Sequence, residues 1–150
     1  MSTPQERIEA DVKAAMKSGD KEKLATLRML LAEIKNDRIA AGKEVDEARF
    51  AALVRKAIKQ RHEAASQFRA GGRDESAAKE EREAGQLEAY LPQAVPEEVL
   101  RAAVRELVER DELSGPAAIG KIMKELLPRF GTAVDGATLN RIAREELTAS

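Results

Sequence analysis

Few residues of this 150-residue chain could take part in catalysis, and none of them is a cysteine. The segment 115–121 places two glycines and Lys121 at the spacing of a phosphate-binding loop. Ile122 follows, where that motif needs a serine or threonine to hold Mg²⁺, and Pro116 removes an N–H group that would contact phosphate. We therefore interpret this segment as a turn that leads into a helix.

Histidine and carboxylate chemistry has equally little support. His62 is the one histidine, and it lies in a basic segment where no second type of metal ligand clusters with it. The acidic segment 74–89 lacks the Glu-x-x-His pattern of metal sites between helices. The sequence predicts no catalytic residue, no metal and no cofactor. It leaves open whether the chain takes part in catalysis within a larger complex.

Two groups of basic residues could contact RNA, because lysine and arginine supply most sequence-independent affinity for phosphates. The first group consists of Arg55, Lys59, Arg69 and Arg73. With His62 and Ser66 they form a series spaced four and three apart, so those on the predicted third helix share a face. The second group lies near the end of the chain and consists of Lys121, Lys124, Arg129, Arg141 and Arg144. The net charge is −1 and an acid-rich segment follows the first group. From charge alone we favour solvated or paired side chains in both groups.

The elements that would position these residues are all helices. Apolar residues recur at spacings of three and four, and Ala, Glu, Lys, Leu and Arg dominate the composition. The predicted helices cover about 4–18, 20–41, 46–70, 74–89, 97–111 and 117–127, with a last one after Asp135. No segment has the alternation of a strand. The predicted fold class is all-α.

Two prolines, Pro92 and Pro96, divide the chain. Each lacks a backbone N–H and fixes its own φ, so neither continues a helix easily. We predict an N-terminal helical domain over 1–91, whose third and fourth helices form a long hairpin, and a hinge over 92–96. A small bundle of three helices then covers 97–150.

Gly120 lies inside the predicted sixth helix, where glycine costs about 1 kcal/mol relative to alanine. Such a glycine indicates close approach by another group. We favour a neighbouring helix, and the alternative is the backbone of a partner.

The predicted location is the cytoplasm. The first residues lack the apolar core of a secretory signal, and no apolar run approaches the ~20 residues of a membrane span. The lack of cysteine fits a reducing compartment. We expect no contact with membranes.

Several segments resemble the YqeY proteins, whose C-terminal part is similar to the tail of GatB, a subunit of the tRNA-dependent amidotransferase. In the first part of the chain they are Leu27-Arg28-Met29-Leu30, Lys59-Gln60-Arg61, Gly72-Arg73 and Tyr90-Leu91-Pro92. In the second part they are Gly120-Lys121-Ile122-Met123, Leu127-Pro128, Val134-Asp135-Gly136 and Leu139-Asn140. The resemblance spans nearly the whole chain and implies a terminal bundle like the GatB tail.

The GatB tail is associated with holding tRNA, and YqeY-like modules also occur joined to glutaminyl-tRNA synthetase. The resemblance therefore implies a non-catalytic tRNA-binding or accessory module. Its partners would be tRNA and an amidotransferase subunit or an aminoacyl-tRNA synthetase. Gly120 and Lys121 match a family motif, whereas Lys124, Arg129 and Arg141 are candidates by charge, and the third-helix group would extend the contact.

Two alternatives stay open at this point. The protein could be an adaptor that docks onto another protein through the hairpin of the third and fourth helices. It could also contribute to a glutamine-dependent carbon–nitrogen ligase as one part of a larger complex.

Overall fold

A computed structural model describes residues 2–149. Within this range the chain has α-helices, one short 3₁₀ helix and no strand, which confirms the all-α prediction. The helices are α1 (Pro4–Ser18), α2 (Lys21–Ala41), α3 (Glu47–Ala70), α4 (Asp74–Glu88), α5 (Glu97–Arg110), α6 (Ala118–Phe130) and α7 (Gly136–Ala149), with the 3₁₀ helix at Gly131–Ala133.

The helices form two compact units, one ending at Leu91 and the other beginning at Pro92. The first unit contains α1 to α4 and the second contains α5 to α7. Each unit has its own apolar core, so each can be described by itself.

Polar caps at the helix starts explain why the first three helices begin where they do. The Thr3 hydroxyl accepts a hydrogen bond from the Glu6 N–H at 3.1 Å, and the Glu6 side chain completes the predicted capping box. Asp20 accepts from the Lys23 N–H at 3.1 Å and begins α2. Asp46 accepts from the Arg49 N–H at 2.8 Å and begins α3. These caps satisfy N–H groups that have no partner inside the helix.

The helices α3 and α4 form a hairpin and pack closely against each other. Gly72 has φ +74 at the turn, and the Arg73 N–H donates to the Phe68 carbonyl at 2.8 Å. The buried residues between the two helices are mostly small, as Ala65, Ala77 and Ala84 show. Alanine lets the helix backbones come close, which brings the longer charged side chains of both helices within reach of one another.

Tyr90 fastens the end of the first unit to its start. Its ring packs edge-on against Phe50, with centroids 6.2 Å apart and an interplanar angle of 83°. Its O–H donates to a carboxylate oxygen of Asp11 at 2.5 Å. Burial raises the pKa of the Tyr90 phenol, and the hydrogen bond to Asp11 raises it further, so the proton stays on the phenol.

In the second unit, α5, α6 and α7 surround a core built from one apolar face of each helix. Its fully buried large side chains are Leu100, Val104, Ile122, Leu126, Leu139 and Ile142. The sequence predicted that α6 ends at residue 127, before Pro128, but the helix continues to Phe130. Proline removes one N–H from the helix yet keeps a helical φ, so the last turn passes through it. Gly131, with φ +59, ends the helix.

The hydrogen bond between Tyr90 and Asp11 should stabilise the first unit by about 1–2 kcal/mol, because hydrogen bonds to charged groups are stronger than neutral ones. We expect Tyr90→Phe and Asp11→Ala each to lower the free energy of unfolding in urea. The double variant should lose less than the two single losses added together. Strictly additive losses would show that the two side chains do not interact in solution.

Candidate functional site

The predicted basic face of α3 is neutralised in part by α4. The Arg69 guanidinium lies 2.5 Å from Glu81. The hydrogen bond between them lowers the pKa of Glu81 and raises the pKa of Arg69, so it favours the charged form of both. His62 lies 4.0 Å from Glu88. The hairpin thus pairs some cations of its basic helix with carboxylates of its acidic helix, in line with the paired side chains that charge alone favoured.

A buried ion cluster holds the middle of the hairpin. Arg61 Nε lies 3.1 Å from Glu83 Oε2 and 3.7 Å from Glu80, and the side chains of Arg61 and Glu83 are 12% and 11% exposed. Burial raises the pKa of Glu83, and the neighbouring charge of Glu80 raises it further, while Arg61 lowers it. Arg61 is therefore a structural residue in this fold, although it lies in a segment that carries the family resemblance.

The other predicted residues of α3 and its turn are placed less favourably for one joint contact. Lys59 is exposed, whereas Arg55 is half-buried. The Arg73 guanidinium lies over the ring of Phe68, 5.0 Å from its centroid. Of this predicted group, Lys59 and Arg73 keep their charges available without an ion pair among residues 2–149.

Most cations of the second unit are also paired. Arg101 and Arg105 bind Glu146 at 2.9 and 2.7 Å, and this carboxylate is only 8% exposed. Both arginines lower the pKa of Glu146 through their hydrogen bonds. These pairs join α5 to α7 across the rim of the core.

Two of the predicted RNA-binding residues take part in such pairs. Lys121 Nζ lies 3.4 Å from Asp111, which also accepts hydrogen bonds from Arg110. Arg141 pairs with Glu97 and, at 3.0 Å, with Glu145. Binding a phosphate with Lys121 or Arg141 would require these carboxylates to be displaced.

Three cations of the second unit have no carboxylate partner in the described part of the chain: Lys124, Arg129 and Arg144. All three side chains are exposed. The Arg129 guanidinium lies over the ring of Phe130, 5.3 Å from its centroid, and this contact does not neutralise its charge. Arg144 was noted in the sequence only as a member of the basic group, and the structure gives it the more prominent place.

Arg144 lines an open groove of about 610 Å³ between the start of α6 and the end of α7. Its other lining residues are Gly115, Pro116, Ile119, Gly120, Leu147 and Thr148. The groove therefore combines small residues and apolar surface with one cation.

Gly120 is exposed and faces open space. A side-chain carbon placed on it would meet no atom within 4 Å outside its own helix surroundings. The prediction that a neighbouring helix approaches Gly120 is therefore wrong, since α7 keeps its distance at this point.

Among residues 2–149 no group of three or more His, Cys, Asp or Glu side chains is placed to hold a metal ion. No helix in this range is both long and apolar enough to span a membrane. The segment 115–121 forms a turn and the first part of α6, with no strand before it, as the turn interpretation predicted.

Fold and surface together define a small all-helical protein of two units, in the second of which most cations are paired with carboxylates. The family model described as "Yqey-like protein" matches residues 5–147. The chain therefore belongs to the YqeY-like family, as its sequence segments indicated.

Curated relatives share the name "Altered inheritance of mitochondria protein 41, mitochondrial". The protein from Eremothecium gossypii is 32% identical over 123 residues, covering 79% of this chain and 67% of its own length. The protein from Saccharomyces cerevisiae is 36% identical over 87 residues, covering 57% of this chain and 47% of its own length. The one from Pyrenophora tritici-repentis is 27% identical over an alignment of 158 positions, covering 99% of this chain and 85% of its own length.

The predicted cytoplasmic location is contradicted by these relatives, which are named as mitochondrial proteins. That prediction relied on the lack of an apolar signal core. Such a core marks secretion, whereas mitochondrial targeting peptides are amphipathic and basic, so its absence says nothing about mitochondria. The relatives' names do not mention RNA or amide transfer, and both stay predictions for this chain.

Glu146 should make the stability of the second unit depend on pH in the acidic range. Its pKa is lowered below 4.5 in the folded state, so it stabilises the unit at neutral pH. That stabilisation is lost as the pH falls through the folded pKa. We expect Glu146→Gln to reduce amide-exchange protection in α5 and α7 at pH 7, and the difference from the unmodified protein to disappear at an acidic pH below the lowered pKa. An equal difference at both pH values would contradict this role.

Gly120→Ala should stabilise the second unit by up to about 1 kcal/mol, because alanine is the better helix former and the added methyl meets no atom. Amide-exchange protection of α6 would measure the gain. A loss of protection would show that the space beside Gly120 is occupied in solution.

Proposed function

We propose that this protein is a non-catalytic module that binds tRNA through its second unit, as an accessory to an enzyme that acts on tRNA. The single observation that carries the proposal is the set of three exposed cations, Lys124, Arg129 and Arg144, with no ion-pair partner in the described part of this unit. The family membership is consistent with it.

Unpaired cations favour phosphate binding because no existing ion pair must be broken first. An arginine already held by a carboxylate gains little from a phosphate, since one partner replaces another. The other five basic residues of the second unit are paired. Arg129, whose guanidinium lies over an aromatic ring, and Arg144 can also donate two parallel hydrogen bonds to one phosphate.

The groove beside Gly120 supports the same proposal. Folded RNA is recognised largely by shape, by its phosphates and by its 2′-hydroxyl groups. A glycine on the open side of α6 lets a sugar–phosphate backbone approach the helix closely. Ile119 and Leu147 provide apolar surface for a ribose, and Arg144 lies on the wall of the same groove.

The α3 group contributes less than the sequence predicted. Arg69 is paired with Glu81, so we propose only Lys59 and Arg73 as extensions of the contact. The hairpin's mutual pairing also weakens the adaptor hypothesis for α3 and α4, because the charges that a partner would recognise are already occupied.

Binding of fluorescently labelled tRNA, followed by anisotropy between about 50 and 200 mM salt, tests the proposal. We expect the affinity to fall steeply with salt. The variant Lys124→Glu, Arg129→Glu and Arg144→Glu should bind at least about tenfold more weakly, and its salt slope should be smaller by about 2 to 3, close to one for each lost phosphate contact.

A matched control changes the same net charge in the first unit: Lys13→Glu, Lys17→Glu and Lys43→Glu, all exposed and unpaired among residues 2–149. It should leave the affinity within about twofold. Gly120→Gln, which fills the groove without a clash, should also weaken binding. Equal losses in the control and the test variant, or no binding by the unmodified protein, would refute the proposal.

A further inference from the structure

The outer face of α2 carries a stripe of uncharged residues that the first unit does not cover. We name it the α2 seam: Ala25, Met29, Ala32, Asn36 and Ile39, all of them exposed. Met29 is 51% exposed and Ile39 is 75% exposed, and they are two of the four large hydrophobic side chains that the described chain leaves in solvent. The residues follow one another at spacings of four and three, which is the spacing of a stripe that packs against another helix.

The seam is additional to the face by which α2 builds its own core. Leu27, Leu30 and Ile34 on the opposite side are at most 2% exposed. A surface helix needs only one apolar face to fold onto its domain. The second face of α2 is therefore unexplained by the stability of the first unit.

One edge of the α2 seam is basic. Lys21, Arg28 and Lys35 follow at intervals of seven residues, about 10.5 Å apart along the helix, and so stay on one side of the seam. All three are exposed and have no carboxylate partner among residues 2–149. On the other edge, Glu22 is held by Arg82 at 3.0 Å. The seam thus has one edge of free positive charge and one edge without it.

We propose that the α2 seam docks an amphipathic helix of a partner protein. That helix would present an apolar stripe to Met29 and Ile39, and aspartate or glutamate along the edge that faces Lys21, Arg28 and Lys35. Ala25 and Ala32 leave room for large apolar side chains of the partner. Asn36 supplies one polar position, which in paired helices fixes the register.

The same features argue against other occupants. An RNA backbone would use the three cations but would leave Met29 and Ile39 in solvent. A second copy of α2 packed antiparallel would bring its own basic edge against this one, and like charges oppose such pairing. The inference does not depend on tRNA binding, because the α2 seam lies in the first unit and the proposed tRNA surface lies in the second.

Met29 is suited to this role. Its sulfur lies 3.5 Å from Nη2 of Arg61, which donates to it, so the side chain is steadied without being buried. Methionine is flexible and polarisable, and adapts to the shape of an apolar partner.

A labelled 21-residue peptide with leucine at the stripe positions and glutamate on both flanks is a suitable probe, with a lysine-flanked peptide of the same stripe as its control. Anisotropy with the full chain should show saturable binding of the glutamate peptide. We expect the lysine peptide to bind at least about tenfold more weakly. Ile39→Asp and Met29→Asp should each weaken binding of the glutamate peptide by a similar factor, because they place a charge in the α2 seam.

Charge reversal of Lys21, Arg28 and Lys35 to Glu should transfer the preference to the lysine peptide. The variant Lys13→Glu, Lys17→Glu and Lys43→Glu serves again as the charge-matched control and should bind as the unmodified protein does. An excess of tRNA should not displace the glutamate peptide.

Three results would overturn the inference: no saturable binding of the glutamate peptide, equal affinity for both peptides, or an unchanged affinity in Ile39→Asp and Met29→Asp. Displacement by tRNA together with sensitivity to charge reversal alone would identify the face as an RNA contact instead. Concentration-dependent dimers that Ile39→Asp dissolves would identify it as a surface for self-association.

Discussion

Pairing of cations with carboxylates on neighbouring helices governs the surface of this molecule. With 26 basic and 27 acidic residues in 150, the chain could present large fields of either sign. Instead, the hairpin sets a basic helix against an acidic one, and the second unit joins α5 to α7 through Glu145 and Glu146. Exposed pairs of this kind add little stability each. Their larger effect is to make the paired charges less available to a partner.

Among the cations that have no carboxylate partner in the described residues, two sets are the basis of the two proposals. Lys124, Arg129 and Arg144 have no carboxylate partner in the described part of the second unit, and Arg144 lines a groove together with Gly115 and Gly120. In the first unit, three free cations border an uncovered apolar stripe on α2. The two surfaces differ in chemistry, since one has cations around open backbone and the other has cations beside methionine and isoleucine.

The sequence was sufficient to predict where the helices lie, but insufficient to predict which charged side chains pair with one another. Caps such as Thr3, Asp20 and Asp46 act within a few residues, so spacing alone located them. Which carboxylate an arginine reaches depends on the separation and rotation of whole helices, and no spacing states this. The sequence therefore predicts Lys121 and Arg141 as available for phosphate binding, whereas in the structure both are paired with carboxylates. The α2 seam does have a signal in the sequence, the interval of seven between Lys21, Arg28 and Lys35. The stripe of leucines on the same helix is the stronger pattern.

The contact between Tyr90 and Asp11 has a bearing on how the protein is made. These residues are 79 positions apart, and Tyr90 is the penultimate residue of the first unit. During synthesis, α1 emerges from the ribosome long before the residue that fastens it. The first unit can close only once its last turn has left the exit tunnel, whereas the second unit, built from neighbouring helices, has a much shorter wait between its first and last contacts.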